Sequence, residues 1–151
     1  MRMKLLVGLA TIGLATAAVA QTGAAEVIKE RQAGMKAIGA SFKALMDQTR
    51  GTPPDAAIVR RHATTLATLS PKVPGWFGPG TQAPDGAKTG ARSEIWAQQA
   101  AFRKSSAEFD AQAKRVLAVA NSGDMNALAP QVRALGGTCK GCHDQFRQKD
   151  D

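Results

Sequence analysis

Large side chains recur between residues 27 and 45 at steps of four, four, three, four and three: Val27, Arg31, Met35, Ile38, Phe42 and Leu45. That spacing gathers them on one stripe of an α-helix. The helix is predicted from about Ala24 to Gln48, and Gly51-Thr52-Pro53-Pro54 stops it. A second helix is predicted from Pro54 or Asp55 to Leu69, with Ile58, His62, Leu66 and Leu69 on one face and Pro71, Pro74 and Gly75 ending it. A third is predicted from about Ser93 to Ala120, where Ile95, Phe102, Phe109 and Val116 recur every seven residues. Asn121-Ser122-Gly123-Asp124 forms a turn, with Ser122 or Asp124 as N-cap. A fourth helix is predicted from about Met125 to Lys149, with Leu128, Val132, Leu135, Cys139, Cys142 and Phe146 stepping by four, three, four, three and four. Pro130, near its start, implies either a later first turn or a kink.

No strict alternation runs long enough to predict a strand. Four amphipathic helices imply an all-α chain folded as an antiparallel four-helix bundle, with short first and third connections. The second connection, residues 71–91, is rich in Pro and Gly and holds Trp76 and Phe77. A connection of that length is functional or packed by its own side chains.

The N-terminus changes the cellular picture. Residues 1–20 hold basic Arg2 and Lys4, an apolar run from Leu5 to Ala15, and Ala18-Val19-Ala20 before Gln21. This is the pattern of a cleavable signal peptide, and the apolar run is short for a membrane span. The expected mature chain, residues 21–151, is one domain exported to the periplasm. The whole chain carries 20 Lys and Arg against 12 Asp and Glu, a net charge of +8; losing Arg2 and Lys4 leaves 8 − 2 = +6. The basic residues are dispersed, with no Lys/Arg run interleaved with aromatics, so nucleic acid is not an expected partner. No acid–base pair, activated nucleophile or phosphate loop is legible, and no enzymatic activity is expected.

The chain has only two cysteines and two histidines, and three of these four fall within Cys139-Lys140-Gly141-Cys142-His143. C-x-x-C-H is the attachment signature of c-type haem. Positions three apart on a helix face one side, so both sulfurs can reach the vinyl groups of one porphyrin. His143, four residues after Cys139, can then reach the iron. Gly136 and Gly137 interrupt good helix formers just before the motif, where small residues let something bulky approach the backbone. Three other readings fit less well. A thioredoxin-like C-x-x-C opens a helix after a strand; a zinc site needs four ligands, and only His62 and carboxylates remain; a chance pair in a core leaves the histidine unexplained.

With these residues in place, the chain resembles a class II c-type cytochrome, and most closely the cytochrome c′ family, over essentially its whole mature length. The strongest part is Cys139-Lys140-Gly141-Cys142-His143-Asp144-Gln145-Phe146-Arg147. Arg31-Gln32-x-x-Met35 is similar to the family's Arg-x-x-x-(Leu/Met/Phe). Phe77-Gly78-Pro79-Gly80-Thr81 resembles its second-to-third connection. Ser93-Glu94-Ile95-Trp96 resembles the Pro-Glu-Ile-Trp that opens its third helix, with Ser93 in place of Pro.

The resemblance implies one covalent haem c per chain, held near the C-terminus. Cys139 and Cys142 would be the thioether sites and His143 the proximal iron ligand. Arg31 and Gln32 would contact a propionate, Met35 would stand over the distal face, and Arg147 would lie beside the proximal imidazole. In the 81–90 loop, Asp85 is a further candidate for the propionates. His62 reads as structural, and Trp76, Phe77, Trp96, Phe102 and Phe109 as packing residues.

Met35 divides two functional readings. In the first it packs over the iron without binding it, leaving a five-coordinate haem that takes NO or CO, takes part in electron transfer, or does both. In the second its thioether is the sixth ligand, and the protein is a low-spin electron carrier closed to gases. A haem-free helical interaction module is a third. A moderately basic surface suits an acidic redox partner, and apolar positions off the stripe, such as Ile28, are candidates for a homodimer face.

Overall fold

The structure, a computed structural model, describes residues 13–50, 53–83 and 89–149, with side chains from Gly23 onward. Four long helices carry it: α1 (Gly13–Gln48), α2 (Ala56–Leu69), α5 (Gln99–Ser122) and α6 (Leu128–Phe146). Two single-turn helices, α3 (Val73–Trp76) and α4 (Glu94–Ala97), lie in the second connection. Among the described residues there is no strand, only an isolated bridge between Ala91 and Arg147. The fold is the all-α antiparallel four-helix bundle that the periodicity implies.

Helix boundaries depart from expectation in instructive ways. α1 starts at Gly13, well before Ala24; the run into Ala25 is rich in alanine, the strongest helix former, which carries the helix across Thr16, Val19, Thr22 and Gly23. Residues 1–12 of the segment read as a signal peptide lie outside the described residues. Asp55 caps α2, accepting from the N–H groups of Ala57 and Ile58 at 2.8 and 3.0 Å. α2 ends at Leu69 as expected, but Pro71 and Pro74 do not stop helical structure beyond it. They sit in the opening turns of a 3₁₀ segment and of α3, where a missing N–H costs nothing.

The expected third helix is broken at Gln98. There the backbone leaves the helical region, and the Gln99 side chain donates to the carbonyls of Ile95 at 3.0 Å and Phe77 at 2.9 Å. Gly123, at φ 75°, closes α5 in the left-handed conformation that favours glycine. Asp124 then accepts from Asn126 N–H at 3.1 Å, and a 3₁₀ turn precedes α6. Pro130 is therefore the third residue of a later-starting helix, and its missing N–H falls among donors that lack intrahelical partners.

The core is continuous and holds Leu45, Leu66, Val116, Val132 and Leu135, all at zero exposure. The expected stripes face the core: Arg31, Ile38 and Leu45 on α1, Ile95 on α4, Phe102, Phe109 and Val116 on α5, and Leu128, Val132, Leu135 and Phe146 on α6 are buried, while Val27, Met35, Phe42, Cys139 and Cys142 are half-buried. On α2 the buried line is Val59, Ala63 and Leu66, continued by Ser70, one position away from Ile58 and His62. α5 packs closely against α2 and α6, and α1 against α2. The α1–α6 seam is the loosest side of the bundle. A cavity of about 330 Å³ opens on that seam between Phe42, Met46 and Thr49 on one side and Ala129, Arg133 and Gly136 on the other.

Candidate haem site

α6 delivers the attachment motif. Cys139 and Cys142 are half-buried free thiols packed against the main core, as their places on the α6 stripe require. Burial pushes the Cys139 thiol up; burial, with the Cys139 charge behind it, pushes Cys142 up to about 11. Both rest as neutral thiols. His143 is exposed by area, yet the protein around it partly desolvates it. That loss of solvation, with Arg147 acting in the same sense and Asp144 against it, holds its pKa below the ordinary histidine value. The neutral imidazole that results is the form that ligates a metal. Gly136 leaves room for the Phe42 ring, whose tip would stand 3.0 Å from an added Cβ, whereas Gly137 has open space around it.

Beyond α6 the chain is pinned. Arg92 N–H donates to Phe146 O at 3.0 Å and Gln148 N–H to Gly90 O at 2.9 Å. The segment after His143 is thereby tied to the end of the second connection.

α1 supplies the other half. Arg31 is a cation buried to 3% exposure. Its Nη1 donates to Thr81 O at 3.0 Å, and its guanidinium stands 4.8 Å from the Phe77 ring centre and 5.9 Å from that of Trp96. Nη2 is buried and has no hydrogen-bond partner. Burial lowers the Arg31 pKa, but an arginine keeps its proton in a protein, so a positive donor here lacks an acceptor. A buried polar group without a partner is costly, and a carboxylate is what would satisfy it.

The connection that holds Arg31 is itself built tightly. Thr81 Oγ1 donates to Gly78 O at 2.7 Å, and Trp96 Nε1 donates to the same carbonyl at 3.1 Å. From Phe77 an aromatic run continues through Phe102 (5.0 Å) to Phe146 (5.4 Å, at 89°), linking the Arg31 end of α1 to the last turn of α6.

The remaining sequence candidates divide. Met35 is half-buried against the same core as the two cysteines. Gln32 and Arg147 are exposed. Asp85 lies outside the described residues. His62 bridges helices, its Nδ1 3.3 Å from Ser41 Oγ. The five aromatics pack as expected, Trp96 being half-buried and the others buried. Sequence reasoning missed the grip on Arg31 by Phe77 and the Thr81 carbonyl. The resemblance of Phe77-Gly78-Pro79-Gly80-Thr81 to the family's Pro/Gly-rich second connection was the signal that could have pointed there.

The residues present fit a haem. A helix-borne C-x-x-C-H turns its thiols toward the core, a neutral imidazole follows, and a buried guanidinium nitrogen lacks an anion where a propionate would supply one. No cluster of three or more His, Cys, Asp or Glu occurs among the described residues, so a zinc site finds no ligand set there. Fold and site together define a c-type haem protein of the helical-bundle class.

Comparison with known proteins narrows the class. The family model for cytochrome c′ matches residues 26–147. Cytochrome c′ of Cereibacter sphaeroides is 37% identical over 145 residues, covering 93% of this chain and 96% of that protein. Cytochrome c′ of Alcaligenes xylosoxydans xylosoxydans is 32% identical over 125 residues, covering 82% and 94%. The solved nitric oxide complex of a variant of cytochrome c prime from Alcaligenes xylosoxidans superposes with a TM-score of 0.73 at 31% identity, over 83% of this chain and 97% of that one. The chain belongs to the cytochrome c′ family, haem proteins with covalently attached haem c.

Proposed function

We propose that this chain is an exported gas-binding haem protein, five-coordinate at the iron, that takes NO or CO and also passes electrons. The observation that carries the haem assignment is the buried Arg31 nitrogen without a partner; the five-coordinate reading is supported by Met35, half-buried on the same helix against the core that also takes both cysteines. Cys139 and Cys142 would hold the haem through thioether bonds, and the His143 imidazole, whose pKa is lowered by burial, would ligate its iron. When bound, the haem supplies an iron that takes a diatomic ligand or an electron. Arg31 neutralises and orients a propionate. Met35 crowds the distal side with an apolar side chain that offers no hydrogen-bond donor, a setting that disfavours O₂. Arg147, one turn beyond His143, lies beside the proximal imidazole.

The relative solved as a nitric oxide complex supports gas binding. The signal-like N-terminus supports a periplasmic location, where c-type haem is attached, and no described helix is long and apolar enough to cross a membrane. A basic surface suits an acidic redox partner.

The test is mass and ligand binding together. The mature protein, produced with c-type maturation, should carry the mass of one haem after denaturation and bind NO stoichiometrically in the ferrous state. Covalent haem with no response to NO would sink gas binding and leave an electron carrier; no covalent haem would sink both.

A further inference from the structure

We propose that Trp76 and Gly34 form a positioning pair that sets how far Met35 stands from the iron, and so how readily small ligands enter. The inference rests on Met35 being the distal wall. Gly34 is buried on α1, one residue before Met35. A Cβ at this position would meet the six-membered ring of Trp76 at 2.1 Å (Cη2), 2.5 Å (Cζ2) and 2.8 Å (Cζ3). No side chain fits there unless ring or helix moves. Gly39, further along the same helix, has nothing within 4 Å, so the close approach is particular to Gly34.

Trp76 is 4% exposed and ends α3, which packs on α1. The next residue, Phe77, lies beneath the Arg31 guanidinium. Two consecutive residues therefore grip α1 at points three residues apart, one through the backbone at Gly34 and one through Arg31. A helix held at two points within a turn has its height and rotation set there. Met35, adjacent to one of these points, inherits both. Side chains in a close-packed interior do not absorb an ångström-scale intrusion without displacing a neighbour.

The experiment uses the haem-loaded protein with Gly34→Ala, Trp76→Leu, the double variant, Gly39→Ala as control and Met35→Ala as reference. Absorption spectra, CO association to the ferrous form and the thermal unfolding midpoint are read for each. A leucine at position 76 lacks all three ring atoms that would meet a methyl group at position 34. Each single variant should change CO association, and the double variant should return toward the parent in both CO rate and midpoint, departing from the product of the two single changes by about twofold or more, the low end of coupling for residues in contact. Gly39→Ala should match the parent in spectra and CO rate and raise the midpoint, as alanine does at an open helical glycine. Should Gly34→Ala prevent folding, Trp76→Phe, which withdraws the outer ring, tests the same contact from the other side.

Lowered midpoints with unchanged spectra and CO rates would make the contact structural only and overturn the proposal, as would strictly multiplicative rate changes. A Met35→Ala protein that binds CO like the parent would show that the reading of Met35 has failed, and the pair falls with it. A faster Met35→Ala with silent Gly34→Ala and Trp76 variants would overturn the pair alone.

Discussion

Arg31→Met removes a buried cation and leaves a side chain of similar reach, and its cost should depend on whether haem is attached. In the structure Nη1 makes one charge-assisted hydrogen bond, to Thr81 O at 3.0 Å, worth about 1.5–3 kcal/mol. The guanidinium contact with Phe77 at 4.8 Å adds about 1 kcal/mol. Against these stands the burial of Nη2 with no partner, at about 1–3 kcal/mol. The terms nearly offset, so in a haem-free chain carrying Cys139→Ser and Cys142→Ser the substitution should cost no more than about 1 kcal/mol. With a propionate in place Nη2 is partnered, and removing the cation strands a carboxylate at about 3–5 kcal/mol. At about 3 °C per kcal/mol for a domain of this size, Tm should fall by about 10 °C in the haem protein and about 3 °C or less without haem. Circular dichroism melts of the four proteins read this directly. Equal falls in both backgrounds would refute a propionate partner and leave Arg31 as a latch on Thr81 and Phe77.

Other outcomes follow from local geometry. Burial, and then the Arg61 cation, lower the His62 pKa. The unfolded chain therefore takes up its proton first, and stability tied to neutral His62 is complete above the unfolded value of about 6.5 and lost as pH falls from there toward the folded value. His62→Gln should flatten the decline of Tm between about pH 7 and pH 5; an unaltered slope would show that His62 does not carry it. Gly137→Ala, with open space at its Cβ, should stabilise α6 by about 1 kcal/mol in denaturant titrations. Gly136→Ala should gain less, because its Cβ would stand 3.0 Å from the Phe42 ring, and equal gains would contradict that contact.

The chemistry was more legible in the sequence than the geometry that supports it. Cys139, Cys142 and His143 stand out because the chain has so few cysteines and histidines and packs three into five residues of an amphipathic stripe. Arg31 could be flagged as a charge on an apolar stripe. Its partners could not, because Thr81 lies 50 residues away and meets Arg31 only through the folded second connection. The α2 face was misjudged by one position because the larger side chains of Ile58 and His62 drew the line away from Val59, the small Ala63 and the polar Ser70. Ser70 is fully buried and satisfied by donating to Asp110 Oδ1 at 2.7 Å, a tertiary bond that no periodicity reveals. The break at Gln98 escaped for a similar reason, since a side chain, Gln99, takes over the accepting carbonyl.

Met35 decides between the two states of the iron, and the absorption spectrum of the haem-loaded mature protein, ferric and ferrous, with and without CO, tests it most directly. A five-coordinate iron predicts high-spin spectra in both oxidation states and a ferrous spectrum that changes on adding CO. A low-spin spectrum with a methionine-to-iron charge-transfer band and no response to CO would contradict the account and make Met35 the sixth ligand of an electron carrier.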